Sequence, residues 1–322
     1  MKQEGNYRWL SSFKYWGLSA LLWGGQAFAQ TIAVSQIVEH PALNDVYRGI
    51  QEELKEQGFD GIQYVYENAQ GNGAIALQIA EKIAGLSPDV AVAIGTPSAQ
   101  ALQSALQGSK PLVFAAVTDP VEANLVSNWQ DTSANITGVS DQVSVEQHLD
   151  LILEIKPDAK RIGTIYNAGE ANSVSAIRAL QSALQTRGLT LVEAAATKTS
   201  EVMEAAQSLV GQVDVVYVVQ DNTVISAIKA VLTVAEEQGW AVFSADTGSV
   251  REGALATVSF DYEEVGREAG KQVAEILRGK KVSEIAVTNP QKTVLMLNEK
   301  TVKRLNLTIS EALWARAQEV VK

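Results

Sequence analysis

Two stretches of this chain follow one plan. The first, "DVAVAIGTPSAQALQSAL" from Asp89, is an apolar strand-like run, a polar knot at Thr96-Pro97-Ser98, and a helical segment. The second, "DVVYVVQDNTVISAIKAV" from Asp214, repeats that order 125 residues later with Asp221-Asn222-Thr223 in the knot. Other anchors keep nearly the same spacing: Ile32 to Ile162 is 130 residues, and Phe114 to Phe243 is 129. Around them, short β-rich runs such as "TIAVSQI", "IQYVYEN" and "PLVFAAV" alternate with segments of helical period. Strands joined through helices must run parallel, because each crossover returns the chain to the same edge of the sheet. The pattern therefore predicts an α/β chain of two Rossmann-like, doubly wound parallel-sheet lobes.

The remaining segments predict how the lobes connect. "NITGVSD" near Ile136 links the two halves. The strand and long helix of "ALATVSFDYEEVGREAGKQVAEILRG" are expected to return to the first lobe, and the last strand to cross back to the second. That gives three crossings, a hinge that permits rigid-body closure while restricting its direction. The expected division is 30–140 plus 257–281 for lobe I and 141–256 plus 282–322 for lobe II.

Residues 1–29 read differently. Lys2, Arg8 and Lys14 precede an apolar run from Trp16 to Gly25, followed by Ala27-Phe28-Ala29, a small-x-small cleavage pattern. This is the pattern of a secretory signal peptide, and the apolar run is shorter than the roughly 20 residues that span a bilayer. Its removal takes away three basic residues and one acid, moving the net charge from -11 to -13. Such an acidic surface argues against nucleic acid or anionic lipid as a partner. The absence of cysteine excludes disulfides, thiolate metal sites and a lipidated cysteine at the cleavage point. A free, exported protein is expected, monomeric and without a cofactor.

Ligands of open parallel sheets bind beyond the carboxyl ends of the strands. The residues there are Gln36 to Pro41 (including His40), Thr96-Pro97-Ser98 and Thr118-Asp119-Pro120 in one half. In the other they are Asn167 to Ser173, Asp221-Asn222-Thr223 and Asp246-Thr247. Thr96 and Ser98 open a helix, where hydroxyls and free N–H groups suit a carboxylate; capping of their own helix is the competing reading. Asp119, Asp221 and Asp246 each follow a strand, and three carboxylates facing one cleft would need a cation such as an ammonium between them; each is equally eligible as a helix cap. Hydroxyls for a carboxylate and acids for an ammonium describe a receptor for an α-amino acid, with Asn172 and Ser173 as further polar contacts. Tyr47, Phe114, Tyr166 and Tyr217 are candidates for the side-chain pocket, although aromatics beside strands are more often core. His148, in "VEQHLDLILEI", reads as surface or packing. No phosphate-loop, dinucleotide, nucleophile-elbow or metal-ligand spacing occurs, so no enzyme is expected.

In the stretches "VSQIVEHPALN", "AIGTPSAQ", "AVTDPVEANLV", "NITGVSD", "RIGTIYNAGEANSV", "DNTVISA" and "SADTGSVREGALATVSFDYEEVGREAG", the sequence resembles ABC-transporter substrate-binding proteins of the branch associated with tryptophan and other aromatic amino acids. The resemblance covers residues 31 to 315. It implies a type I periplasmic binding protein that closes on its solute and presents it to an inner-membrane permease with its ATPase. Carried over by position, it supports Thr96, Ser98, Asp119, Asn172, Ser173, Asp221 and Asp246 as the ligand shell. One departure is Ala168 in "NAGEAN", where the family pattern has proline, so the loop is less rigid. An exported ligand-sensing module for a signalling receptor is the alternative role on the same fold.

Overall fold

The computed structural model describes residues 30–130 and 135–322. The segment read as a signal peptide, 1–29, lies outside the described residues.

In the first half the elements follow one another as β1 (Thr31–Gln36), α1 (Pro41–Glu56), β2 (Gln63–Asn68), α2 (Gly73–Leu86), β3 (Val90–Ile94), α3 (Thr96–Leu106), β4 (Leu112–Ala115) and β5 (Ile136–Val139). The five strands form one sheet in the order β2-β1-β3-β4-β5, with every pair parallel. β3, β4 and β5 are buried along their whole length, as strands covered by helices on both faces must be.

The second half runs α4 (Val145–Ile155), β6 (Arg161–Tyr166), α5 (Ala171–Thr186), β7 (Thr190–Ala195), α6 (Val202–Ser208), β8 (Val215–Val218), α7 (Asn222–Ser226), α8 (Ile228–Gln238), β9 (Ala241–Ser244), α9 (Thr247–Glu252) and β10 (Ala256–Ser259). After the long helix α10 (Tyr262–Leu277) come β11 (Val294–Asn298), α11 (Glu299–Arg304), α12 (Glu311–Arg316) and β12 (Glu319–Val321). The second sheet has the order β12-β11-β10-β9-β8-β6-β7. The α/β architecture with two parallel-sheet lobes is the expected one.

Two details differ from the expectation. β10 pairs with β9 and β11, so residues 257–259 belong to the second sheet; what returns to the first lobe is α10 and the stretch after it, where the Ile285 carbonyl accepts from the Thr137 hydroxyl and Val287 joins the first core, so the second lobe does not resume at residue 282 as expected. β11 runs antiparallel to β10, with Val294 opposite Ser259. The reason is that the chain re-enters the second lobe at the hinge, beside the carboxyl end of β10, and can only run back along it.

The three crossings lie side by side. The first follows β5, the second joins β10 to α10, and the third leads into β11. Thr288, just before the third, pairs with Val139: its N–H donates to the Gly138 carbonyl at 3.0 Å, and its own carbonyl accepts from the Ser140 N–H at 2.8 Å.

α10 is fastened to lobe I by direct backbone contact with α1. A Cβ on Gly266 would lie 2.1 Å from the Val46 carbonyl oxygen, and one on Gly49 2.1 Å from that of Glu263. Only glycine permits this approach. Around the seam, Arg267 reaches Glu52 at 2.7 Å and Glu56 at 3.0 Å.

In lobe II, His148 is buried: the Tyr217 hydroxyl lies 2.8 Å from its Nδ1, and the Val258 carbonyl 2.7 Å from its Nε2. Both ring nitrogens are satisfied by a neutral imidazole, and burial lowers its pKa to about 4. The unfolded chain titrates near pH 6.5 and so binds the proton more readily between pH 6.5 and 4; stability from this group is present above 6.5 and lost as pH falls through that window. Replacing His148 by Gln should therefore flatten the acid limb of a thermal-unfolding series by about 1 kcal/mol per pH unit. An unchanged slope would rule the group out as the source.

Candidate functional site

A narrow cavity of about 20 Å³ lies where the carboxyl ends of both sheets face each other. From lobe I it is lined by His40 and Leu43 after β1, Thr96 after β3, Ala116 and Thr118 after β4, and Asp141 after β5. Lobe II contributes Asn172 after β6, and Gln220, Asn222 and Ile225 after β8; Tyr262, first residue of α10, closes the hinge side. Ala116 holds a left-handed backbone, φ 53°, an uncommon conformation for a residue with a Cβ and one that recurs at ligand sites.

Of the expected residues, Thr96, His40 and Asn172 line the cavity. Thr96 does not cap its helix. The N-cap of α3 is Gly95, which carries no side-chain cap, takes φ 90°, and leaves no room for a side chain, since a Cβ there would strike Ile37. The Thr96 hydroxyl is buried without a partner, beside an uncapped helix start. Ser98 lies behind it, taking a 3.2 Å hydrogen bond from Ser35. Gln36 is fully buried and ties the first loop together, donating to the Val38 carbonyl and the Asn44 side chain, both at 2.9 Å.

The three acids expected to converge do not. Asp119 caps the turn after β4, accepting from the Val121 and Glu122 N–H groups, and its other oxygen accepts from Ser175 of the opposite lobe at 3.0 Å. Asp246 caps α9, taking bonds from the N–H and hydroxyl of Ser249 at 2.7 and 2.6 Å. Asp221 caps α7 and accepts from Val224 N–H, Asn167 N–H and the Ser173 hydroxyl at 2.8, 2.6 and 2.6 Å. Asp221 and Asp246 have no solvent exposure, and none of the three lines the cavity. Burial raises the pKa of both, with nearby Glu170 adding to the effect on Asp221. Ser173 is thus spent on Asp221. The aromatic candidates also fall elsewhere: Phe114 and Tyr217 are core, Tyr47 stacks on Tyr66 with centroids 4.7 Å apart, and Tyr166 packs at the edge of lobe II.

The carboxylate that does face the cavity is Asp141. Its Oδ2 accepts from the Tyr262 hydroxyl at 2.9 Å, while Oδ1 is buried with no partner. Burial raises its pKa, opposed chiefly by the hydrogen bond from Tyr262. A solitary buried carboxylate oxygen is costly unless a cation or donor meets it. Opposite it, Asn172 also presents an unpaired buried oxygen, and Gln220 an unpaired Nε2. The sequence signal was present in "GVSD", which stands at the end of a strand like the other knots but reads as a linker.

Glu170 is the other residue that sequence reasoning passes over. Its carboxylate is buried and accepts from the Asn172 side chain at 3.1 Å, the Asn222 side chain at 2.6 Å, and the N–H and hydroxyl of Thr223 at 3.1 and 2.8 Å. It positions the two amides that reach the cavity. Asn222 in turn faces lobe I, its oxygen 3.6 Å from where a Cβ on Gly95 would sit. His40 caps α1, its Nδ1 accepting from the Leu43 N–H at 3.4 Å. Its pKa is lowered to about 4 by burial, against the opposite pull of Asn222, so it is neutral.

The polar groups without partners therefore sort by chemistry. A hydroxyl, an uncapped helix start and the Gln220 Nε2 can donate, and carboxylate and amide oxygens around the same cavity can accept. Among the described residues, no cluster of His, Asp or Glu is placed to hold a metal ion.

Comparison with known proteins agrees with this architecture. The chain is 38% identical over 281 residues to a tyrosine-binding protein of Clostridioides difficile, covering 86% of this chain and 81% of that one. A Streptococcus pneumonia ABC domain solved in complex with L-Trp superposes with a TM-score of 0.88 at 30% identity, over 91% of this chain and all of that one. A ligand-free, open substrate-binding protein of Clostridium difficile, at 35% identity and the same coverage, reaches only 0.68. In the arrangement described here the two lobes meet through Ser175 with Asp119, Arg178 with Glu122 and Arg251 with Asp45. With residues 31–321 matching the sequence profile described as ABC transporter substrate binding protein, on two type I lobes closed over a polar cavity, the chain belongs to the ABC transporter substrate-binding protein family.

Proposed function

We propose that this protein binds an aromatic α-amino acid, tyrosine or tryptophan, in the interlobe cavity and delivers it from the periplasm to an inner-membrane ABC permease. The observation that carries the reading is the unpaired Asp141 oxygen in the same cavity as the unpaired Thr96 hydroxyl and the uncapped start of α3. A free amino acid satisfies all of them, ammonium to Asp141 and Asn172, carboxylate to Thr96 and the helix start. Leu43, Ile225, Ala116, His40 and Tyr262 supply the mixed apolar and aromatic wall that a ring requires. The tyrosine-binding relative and the tryptophan-bound neighbour support the aromatic class. The segment 1–29, read as a signal peptide, supports export.

Because ligand groups meet both lobes, binding favours the closed state, and closure is what distinguishes loaded from empty protein for the permease. A thermal-shift screen of the mature protein against the common amino acids checks the reading. At 100 times its dissociation constant a ligand adds about 2.7 kcal/mol to stability. Tyrosine or tryptophan should give the largest shift; a sugar that shifts the transition while every amino acid fails would overturn the proposal.

A further inference from the structure

The closed lobes also touch outside the cavity, at two separate places. In the first, Ser175 and Arg178 lie three residues apart on one face of α5 and meet the turn after β4: the Ser175 hydroxyl donates to Asp119 at 3.0 Å, and the Arg178 guanidinium to Glu122 at 2.9 Å. In the second, Arg251 of α9 donates to Asp45 of α1 at 3.1 Å. Several of the partners are also held on their own lobes. Asp119 is fixed by the turn it caps, Arg251 also pairs with Glu319 at 3.2 Å, and Asp45 with Arg48 at 2.9 Å. Little side-chain freedom remains to be lost when these lobes meet. None of these residues lines the cavity.

We infer that these contacts form a two-point electrostatic latch that stabilises closure, so that the affinity of the proposed site depends on ionic strength although the latch never touches the ligand. The inference rests on the amino-acid reading above. An amino-acid zwitterion has no net charge, so its own capture in a buried cavity carries little salt dependence. Exposed ion pairs between lobes carry one, because they exist only when closed and are screened by salt. When the ligand-free protein is mainly open, every factor lost from closure is lost from affinity.

The test compares wild type with the double variant Glu122→Gln/Asp45→Asn. Glu154→Gln, which removes an exposed pair with Arg316 within lobe II, serves as control. Binding of L-tyrosine and L-tryptophan is measured calorimetrically between about 0.01 M and about 1 M salt, where the Debye length falls from about 30 Å to about 3 Å. Wild type and control should lose about four- to twenty-five-fold in affinity across that range, from roughly two- to fivefold for each of the two pairs. The double variant should start weaker by that factor and stay flat. Wild-type affinity or a wild-type salt slope in the double variant would overturn the latch.

A second readout needs no ligand. The chain has no cysteine, and a Cβ on Gly248 would lie 3.2 Å from the Cβ of Pro41 and 3.1 Å from the Ala42 N across the mouth, so a slight shift brings the pair to the roughly 3.5–4.5 Å of a disulfide. The rate at which Pro41→Cys/Gly248→Cys forms a disulfide therefore reports the closed population. Adding the latch substitutions should slow it about fivefold or more at low salt, and equal rates would overturn the latch. If neither amino acid binds at any salt, the ligand reading fails and this rate still decides the inference.

Discussion

Asp141→Asn is expected to weaken binding of L-tyrosine or L-tryptophan by at least about thirtyfold, measured by titration calorimetry, with the melting temperature little changed. The amide keeps the shape and an acceptor for the Tyr262 hydroxyl, which now donates to Asp141 at 2.9 Å. What it removes is the negative charge that the ligand's ammonium meets in a buried site. Truncating one partner of a desolvated charge pair costs about 2–5 kcal/mol, mostly from the charge left behind, and about 1.4 kcal/mol is a factor of ten. Wild-type affinity in the variant would remove Asp141 from the site.

The same carboxyl predicts a pH dependence. Burial raises its pKa in the ligand-free protein, and a bound ammonium favours the ionised form and draws it down. Binding therefore releases a proton on the acid side, and wild-type affinity falls as pH drops through the raised value. Asp141→Asn has no such group and should be flat over that range. A parallel pH profile in wild type and variant would contradict the assignment.

The second large effect concerns the hinge helix. Gly266→Val should destabilise the protein by about 4 kcal/mol or more, read from thermal or denaturant unfolding. Overpacking a core costs typically about 1–3 kcal/mol, because side chains shift to make room. Here the added Cβ would stand 2.1 Å from the Val46 carbonyl oxygen and 3.0 Å from its Cα, and backbone inside a helix has nowhere to go. α10 must then lift from α1, opening a seam that includes Val46, Ile50, Val265 and Ala269, all fully buried. Gly61, where a Cβ would meet nothing within 4 Å, is the control position, and alanine should be tolerated there. Equal losses at both glycines would show that the close approach is not what glycine serves.

The fold was legible because strand and helix periods are local properties. β3 and β8 announce themselves as unbroken runs of apolar and β-branched residues, and the offset between halves survives whatever the loops do. The exception, β10, shows the limit. "ATVS" says strand, but which sheet it joins depends on where the chain stands after α9, a fact set by packing.

The site was legible in place but less so in its chemistry. Of the residues read at strand ends, Thr96, His40, Thr118, Asn172 and Asn222 line the cavity, since the rule depends only on topology. It gave the acids the wrong task, because an Asp before a helix has the same sequence signature whether its oxygens turn inward to N–H groups or outward to a ligand. Asp221 and Asp246 turn inward and are saturated. Asp141, in a segment that looked like a linker, keeps one oxygen free.

By itself, then, the sequence determined two α/β lobes, a cleft between them, and a polar rim without metal-ligand spacing, because these follow from periodicity and composition. Only the tertiary structure decided which carboxylate is available, which glycines are obligatory, and which acids meet the opposite lobe. Those outcomes depend on hydrogen-bond saturation and on contacts between residues far apart in the chain, 56 positions for Asp119 with Ser175 and 206 for Asp45 with Arg251, and no local pattern encodes whether a buried oxygen already has its partners.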